Sequence, residues 1–152
     1  MSSATQIHAT CVEVAGAGVL LLGASGTGKS DLALRLIDGG ARLVADDRTD
    51  LLRRDGELFA SAPHTIAGRI EVRGIGILAV PAVAEARVRL AIELVEPARV
   101  ERLPDGRSRE FLGVSVPLLA LDPFAASSAA KVRLAVRQPN GSWALGETAH
   151  AG

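Results

Sequence analysis

Gly18-Val19-Leu20-Leu21-Leu22, then Gly23-Ala24-Ser25-Gly26-Thr27-Gly28-Lys29-Ser30, then Asp31-Leu32-Ala33-Leu34-Arg35-Leu36-Ile37: these three segments decide how the chain folds. The first is a short, unbroken apolar run and reads as a buried strand. The third carries apolar residues at helical spacing. Between them, residues 23–30 fit G-x-x-x-x-G-K-[ST], the phosphate-binding P-loop. Its glycines let successive backbone N–H groups turn inward onto phosphate oxygens, and the helix start adds a partial positive charge at the same place. Gly23, Ala24, Ser25, Gly26, Thr27 and Gly28 are read as the cradle. Lys29 reaches the β- and γ-phosphates, and the Ser30 hydroxyl ligates Mg²⁺. A chance glycine turn would not need strand, motif and helix in register.

Outward from the loop, the helix stops at Gly39-Gly40, and Arg42-Leu43-Val44-Ala45 reads as a short strand ending in Asp46-Asp47. The helix and turn are long enough for a crossover to a parallel strand. A parallel strand would bring its carboxyl end to the edge that holds the loop, where open α/β sheets bind ligands. Alone, Asp-Asp is an ordinary strand end. Beside a P-loop, the pair permits a division of labour: one carboxylate near the metal, the other free to take a proton from an attacking hydroxyl.

A third signal is Ile70-Glu71-Val72-Arg73-Gly74-Ile75-Gly76-Ile77, within a strand expected over 70–80. Alternation puts Glu71 and Arg73 on one face. Gly74 and Gly76 suggest a bulge or a close backbone approach. From spacing alone, Glu71 and Arg73 fit a solvated pair as well as a site. His8, His64 and His150 stand at no metal-ligand spacing. The remaining expectations are strands over 7–14, 88–95 and 114–121, a hairpin over 51–62, a loop over 97–110 and a closing helix over 123–137. Residues 1–137 read as one domain, and 138–152 as a polar tail that frays.

Composition narrows the function. Hydrophobic residues make up 48% of 152, enough for a core, and aromatics only 3%, so that core is aliphatic. Seventeen basic and 17 acidic residues cancel, which leaves no electrostatic case for nucleic acid or a membrane surface. Stacking platforms for single strands are lacking. The single Cys11 reads as a small core residue and suits a reducing cytoplasm. No apolar run approaches the ~20 residues that span a bilayer.

These residues, in this order, resemble the HPr kinase/phosphorylase family, bacterial protein-serine kinases unrelated to the eukaryotic kinases. The resemblance covers roughly residues 5–122. His8 matches the histidine that opens the family's catalytic domain. Residues 23–30 match its P-loop, with Asp31 where an acidic residue follows. Arg42 to Asp47 match its strand ending in a double aspartate, and Glu71 to Ile77 match its signature segment. Glu101-Arg102-Leu103, with Phe111-Leu112-Gly113-Val114 and Pro117, matches its later arginine region.

The resemblance implies an α/β fold with a mixed sheet and flanking helices, a P-loop kinase core of the phosphoenolpyruvate-carboxykinase type. It implies ATP and Mg²⁺, a seryl hydroxyl of the phosphocarrier HPr as acceptor, and a hexamer. Asp47 would accept the proton, assisted by Asp46 and His8. Lys29 would hold phosphates, Ser30 and Glu71 the metal, and Arg102 would stabilise charge on the transferring group. Three departures stand out. Only seven residues precede His8, the span from Glu71 to Arg102 is short, and Asp122-Pro123-Phe124-Ala125-Ala126-Ser127 replaces a basic segment tied to phosphorolysis. Phosphorolysis is therefore less well supported than the kinase reaction. Two other readings remain open: a P-loop kinase of a small molecule, with Arg102 to Arg109 as a lid, and a non-catalytic nucleotide-binding regulator.

Overall fold

The computed structural model describes residues 3–138. The chain opens with strands β1 (Ala4–Ile7), β2 (Ala9–Val14) and β3 (Ala17–Leu22). Helix α1 (Lys29–Asp38) leads to β4 (Arg42–Ala45) and to a hairpin of β5 (Thr49–Arg54) and β6 (Glu57–Ser61). A second hairpin, β7 (Arg69–Val72) and β8 (Gly76–Ala79), precedes the long strand β9 (Glu85–Leu94). Strands β10 (Arg107–Phe111) and β11 (Val114–Leu121) and helix α2 (Ser128–Val136) follow. The class is mixed α/β with few helices. Nine strands form one sheet in the order β1-β5-β6-β9-β3-β2-β4, with β11 on β9 and β10 on β11; β7 and β8 pair apart from it.

Strand β3 is buried along its whole length, which is why its sequence runs apolar without alternation. Val19 and Leu21 pack with Leu32, Leu36 and Val132 in the core beneath the helices. Leu20 and Leu22 pack with Leu51, Leu58 and Ala60 in a second core under the β5–β6 hairpin. Each fully buried leucine contributes about 1.5–3 kcal/mol. Strand β9 joins the two halves of the curled sheet. Its residues 85–87 pair with β6, while 91–94 pair with β11 and, in part, with β3. Gly18 is required where β3 meets β9, because a Cβ there would lie 2.8 Å from the Arg87 carbonyl oxygen. Cys11 is a fully buried strand residue, and burial pushes its thiol far above the ordinary range.

The strand directions position the site. Strand β4 runs the same way as β3, yet the two are not paired: β2 lies between them, antiparallel to both. Strands β9 and β11 also run parallel to β3. The carboxyl ends of β3, β4, β9 and β11 and the amino end of β2 therefore share one edge. His8, the loop from Gly23, Asp46-Asp47 and the segment after Leu121 all start there.

Four local expectations are corrected. The strand expected over 7–14 breaks at His8, where β1 leaves to pair with β5. The strand expected over 70–80 is a hairpin, because Gly74 (φ 94°) and Gly76 (φ 135°) turn the chain back, and Arg73 falls in the turn rather than beside Glu71. The loop expected over 97–110 ends in β10, which pairs with β11 across a Leu112-Gly113 turn. The closing helix starts at Ser128, after a turn in which the Phe124 N–H donates to Asp122 Oδ1 at 3.0 Å. Of the expected polar tail, residues 139–152 lie outside the described residues.

Candidate active site

The loop after β3 is shaped by glycine. Gly26 (φ 84°) and Gly28 (φ 99°) sit in left-handed conformations that let the backbone curl. Thr27 braces the curl, donating from Oγ1 to the Ala24 carbonyl at 2.6 Å. Gly28 caps α1 without any side-chain cap, so the first-turn N–H groups are left for an anion. Lys29 is buried and folds back, donating from Nζ to the Gly23 and Ala24 carbonyls at 2.7 and 3.0 Å. Burial pulls its ammonium below the ordinary lysine range, and the carboxylates of Asp47 and then Asp46 oppose that shift. A lysine held so close to its own loop is placed to transfer its hydrogen bonds to phosphate oxygens.

The two aspartates are held in contrasting ways. Asp46 is 9% exposed. Its Oδ1 accepts from Ser30 Oγ at 2.6 Å and from Thr10 Oγ1 at 3.2 Å, and its Oδ2 accepts from the Glu71 N–H at 3.0 Å. Asp47 is 52% exposed and sits 2.9 Å from His8 Nε2 and 4.0 Å from Lys29 Nζ. Its backbone is left-handed (φ 65°), a conformation aspartate tolerates better than most residues. Its N–H donates to Thr10 Oγ1 at 3.0 Å. The result is one anchored carboxylate beside Ser30 and one accessible carboxylate open to the cavity.

His8 reaches Asp47 because β2 is antiparallel. Ala9 pairs with Leu22, so His8 stands level with the start of the loop, and its Nε2 also lies 3.3 Å from Ser25 Oγ. The cavity of about 490 Å³ is lined by the loop, Asp46, Asp47, Glu71, Val72, Arg73, Leu34 and Phe124. Nearly all the expected site residues thus meet: His8, Gly23 to Ser30, Asp46, Asp47 and Glu71. Arg102 does not join them. It is exposed on the 101–106 loop and makes no hydrogen bond or ion pair among the described residues. Arg107 and Arg109 are engaged elsewhere, flanking Glu93 at 3.6 and 3.5 Å.

Thr10 is the residue that sequence reasoning missed. It is fully buried and joins both aspartates through one hydroxyl. The available signal was a hydroxyl between Ala9 and Cys11, in the stretch Ala9 to Val12 that is otherwise apolar.

The residues fit a nucleotide phosphate chain with a divalent cation: a glycine cradle, a buried lysine, and a serine hydroxyl backed by a carboxylate. Among the described residues, no group of three or more His, Cys, Asp or Glu could hold a metal ion by itself. Oxygen ligands shared with phosphate are the usual setting for Mg²⁺.

The family model of the HPr serine kinase C-terminal domain matches residues 1–136. The HPr kinase/phosphorylase of Chlorobium phaeobacteroides is 42% identical over 129 residues, covering 76% of this chain and 38% of that protein. The HPr kinase/phosphorylase of Clostridium acetobutylicum is 40% identical over 116 residues, covering 72% and 36%. The chain therefore spans well under half the length of these curated relatives. The solved structure of the HPr(Ser) kinase/phosphatase from Coxiella burnetii superposes with a TM-score of 0.78 at 34% identity, over 88% of this chain and 94% of that one. Its curled mixed sheet with few helices is the architecture seen here.

Proposed function

We propose, because this chain belongs to the HPr serine kinase C-terminal-domain family, that it is an ATP-dependent protein-serine kinase whose acceptor is an HPr-type phosphocarrier. The observation that carries the reading is the unequal aspartate pair. Asp46 is buried with three hydrogen-bond donors, while Asp47 lies open beside His8 and Lys29. Such a pair suits phosphoryl transfer to a hydroxyl, and Asp47 is the proton acceptor. The seryl O–H donates to its free carboxylate oxygen, and the proton passes to Asp47 as the oxygen attacks the γ-phosphorus of ATP and the bond from that phosphorus to the bridging oxygen breaks, releasing ADP. His8 holds the other lobe of that carboxylate in place. General-base help of this kind is worth roughly 10²–10⁴-fold.

Lys29 turns from the Gly23 and Ala24 carbonyls onto the β- and γ-phosphates of ATP. The residues that would hold Mg²⁺ are Ser30, backed by Asp46, and Glu71; when bound, the ion neutralises phosphate charge and aligns the transferring group. Arg102 acts only once its loop, or an assembly such as a hexamer, brings it to the phosphates. We assign the core to the P-loop kinases of phosphoenolpyruvate-carboxykinase type and the chain to the cytoplasm. The forward reaction alone is proposed, since residues 122–127 carry no basic side chain. A protein acceptor suits the rim, where the hairpin turn exposes Ile75 (72%) and strand β8 exposes Ile77 (69%), close to Glu71.

The test is the intact mass of purified HPr after incubation with this protein, ATP and Mg²⁺. One phosphoryl group on a serine is expected. An unchanged mass, with ATP binding verified by titration, would move the acceptor to a small molecule or leave a binding-only regulator. A second incubation with excess inorganic phosphate shows whether the phosphoserine is removed.

A further inference from the structure

Phe124 is one of only three phenylalanines in a chain with no tyrosine, yet it is 66% exposed. It follows β11 at the same sheet edge as the glycine loop and lines the same cavity. Its ring lies against the start of α1: a Cβ on Gly28 would sit 2.9 Å from Phe124 Cζ. The segment that carries it is fixed from several sides. The Phe124 N–H donates to Asp122 Oδ1 at 3.0 Å, and Ser128 Oγ donates to the Asp122 carbonyl. Arg35 of α1 donates from Nη1 to the Ala125 carbonyl at 3.2 Å and from Nη2 to the Pro123 carbonyl, while pairing with Asp31 at 3.1 Å.

A braced loop that presents an aromatic face to water is built for a flat apolar ligand. The rest of the lining shows which one. Its polar part is the loop with Asp31, Asp46, Asp47, Glu71 and Arg73, and its apolar part is Leu34, Val72 and Phe124. A nucleotide whose phosphates occupy the cradle must place its base on an apolar wall within reach of the cradle, and Phe124 stands directly against Gly28.

We infer that Phe124 is the stacking platform for the base of the phosphate-donating nucleotide, with Leu34 and Val72 completing the subsite. The inference rests on the nucleotide reading of the site and adds the base subsite to it. Every purine offers a π face, so recognition by stacking accepts ATP and GTP alike and favours both over bare tripolyphosphate.

The experiment is calorimetric titration of the full chain with ATP, GTP and inorganic tripolyphosphate, each with Mg²⁺. Wild type is measured first: failure to bind ATP at all would sink the nucleotide reading and this inference with it. Given wild-type binding, Phe124→Ala is expected to weaken ATP and GTP roughly tenfold or more. Tripolyphosphate should change by less than about twofold. Phe124→Leu keeps apolar bulk against Gly28 and should lose nucleotide affinity in the same selective way, whereas Phe124→Trp should retain it. Equal losses for nucleotide and tripolyphosphate would mean that the ring only props the loop. Unchanged ATP affinity in Phe124→Ala would mean that the base binds elsewhere. Either result overturns the assignment.

Discussion

Replacing Thr10 by valine keeps the shape of a buried side chain and removes a hydroxyl that serves both aspartates. In the native site Thr10 Oγ1 donates to Asp46 Oδ1 at 3.2 Å and accepts the Asp47 N–H at 3.0 Å. Valine leaves Asp46 with Ser30 and the Glu71 N–H, so the anchored carboxylate survives with one donor fewer. The Asp47 N–H, however, faces a methyl group. An orphaned backbone donor costs about 1–3 kcal/mol, and a lost hydrogen bond to a carboxylate about 1.5–3 kcal/mol. Allowing for relaxation, the domain should lose about 2–4 kcal/mol of a stability on the order of 5–15 kcal/mol. At about 2–4 °C per kcal/mol for this size, the melting temperature falls by roughly 5–15 °C.

The effect on catalysis has a separate origin. Asp47 sits at φ 65°, and its N–H bond to Thr10 is part of what fixes that backbone. Released, its carboxylate moves relative to the acceptor hydroxyl, and a displacement of about 1 Å can cost 10²-fold in rate. We expect kcat for HPr phosphorylation to fall roughly 10- to 100-fold. KM for ATP should hold, because no hydrogen bond links Thr10 to residues 23–30. Thr10→Ser should restore most of kcat. The assays are thermal unfolding and steady-state kinetics at a temperature where both proteins are folded. Wild-type melting with wild-type kcat would refute the reasoning outright. A lower melting temperature with intact kcat would show that Thr10 holds the fold and does not position Asp47.

Asp47→Asn keeps a residue that tolerates left-handed backbone and removes the proposed proton acceptor; kcat should drop roughly 10²–10⁴-fold with ATP affinity nearly unchanged, and near-normal transfer would dismiss Asp47 as the base. Lys29 starts below its ordinary value of 10.5 because it is buried, and bound phosphates raise it again. ATP affinity should therefore be flat below the free-state value and weaken by up to about tenfold per pH unit above it, until the bound-state value is reached. Affinity that stays level as the pH is raised to 10.5 would contradict this, and Lys29→Met should abolish the slope while weakening binding. Ile75→Ser with Ile77→Ser should raise KM for HPr several-fold and leave ATP titrations alone; an unchanged KM would exclude the hairpin from acceptor binding.

The parts of this site that were legible in the sequence are those whose chemistry restricts residue type locally. A backbone curling onto phosphate needs glycine, so residues 23–30 could be read directly, and Gly28 does sit at φ 99°. Strand β3 was legible because both of its faces are buried, which removes every polar residue. The hairpin of 69–79 was not, because Ile70, Val72, Leu78 and Val80 stay in period-two phase across a turn that only Gly74 and Gly76 mark. Strand β10 escaped because Arg107-Ser108-Arg109-Glu110 is exposed and so carries no apolar stripe, its register being set by β11 and by Glu93. Arg102 as a catalytic residue came from resemblance alone, and no neighbour among the described residues gives it a task.

Strand order is the one property that no local pattern encodes, and it decides how the site is filled. With β4 directly beside β3, Asp46 would lie about 4.8 Å across from the loop strand. With β2 interposed, the two carboxyl ends stand about 9.6 Å apart, twice that spacing. The inserted strand then has to supply what lies in the gap. Because it is antiparallel, it supplies its amino end: His8 at the rim against Asp47, and Thr10 inside, bonded to both aspartates. A parallel strand would have brought its carboxyl end to this edge instead. The buried hydroxyl and the rim histidine are thus consequences of one topological choice. They should be disrupted together by any change that shifts the pairing of Ala9 with Leu22 by one residue, since that shift turns Thr10 to the other face.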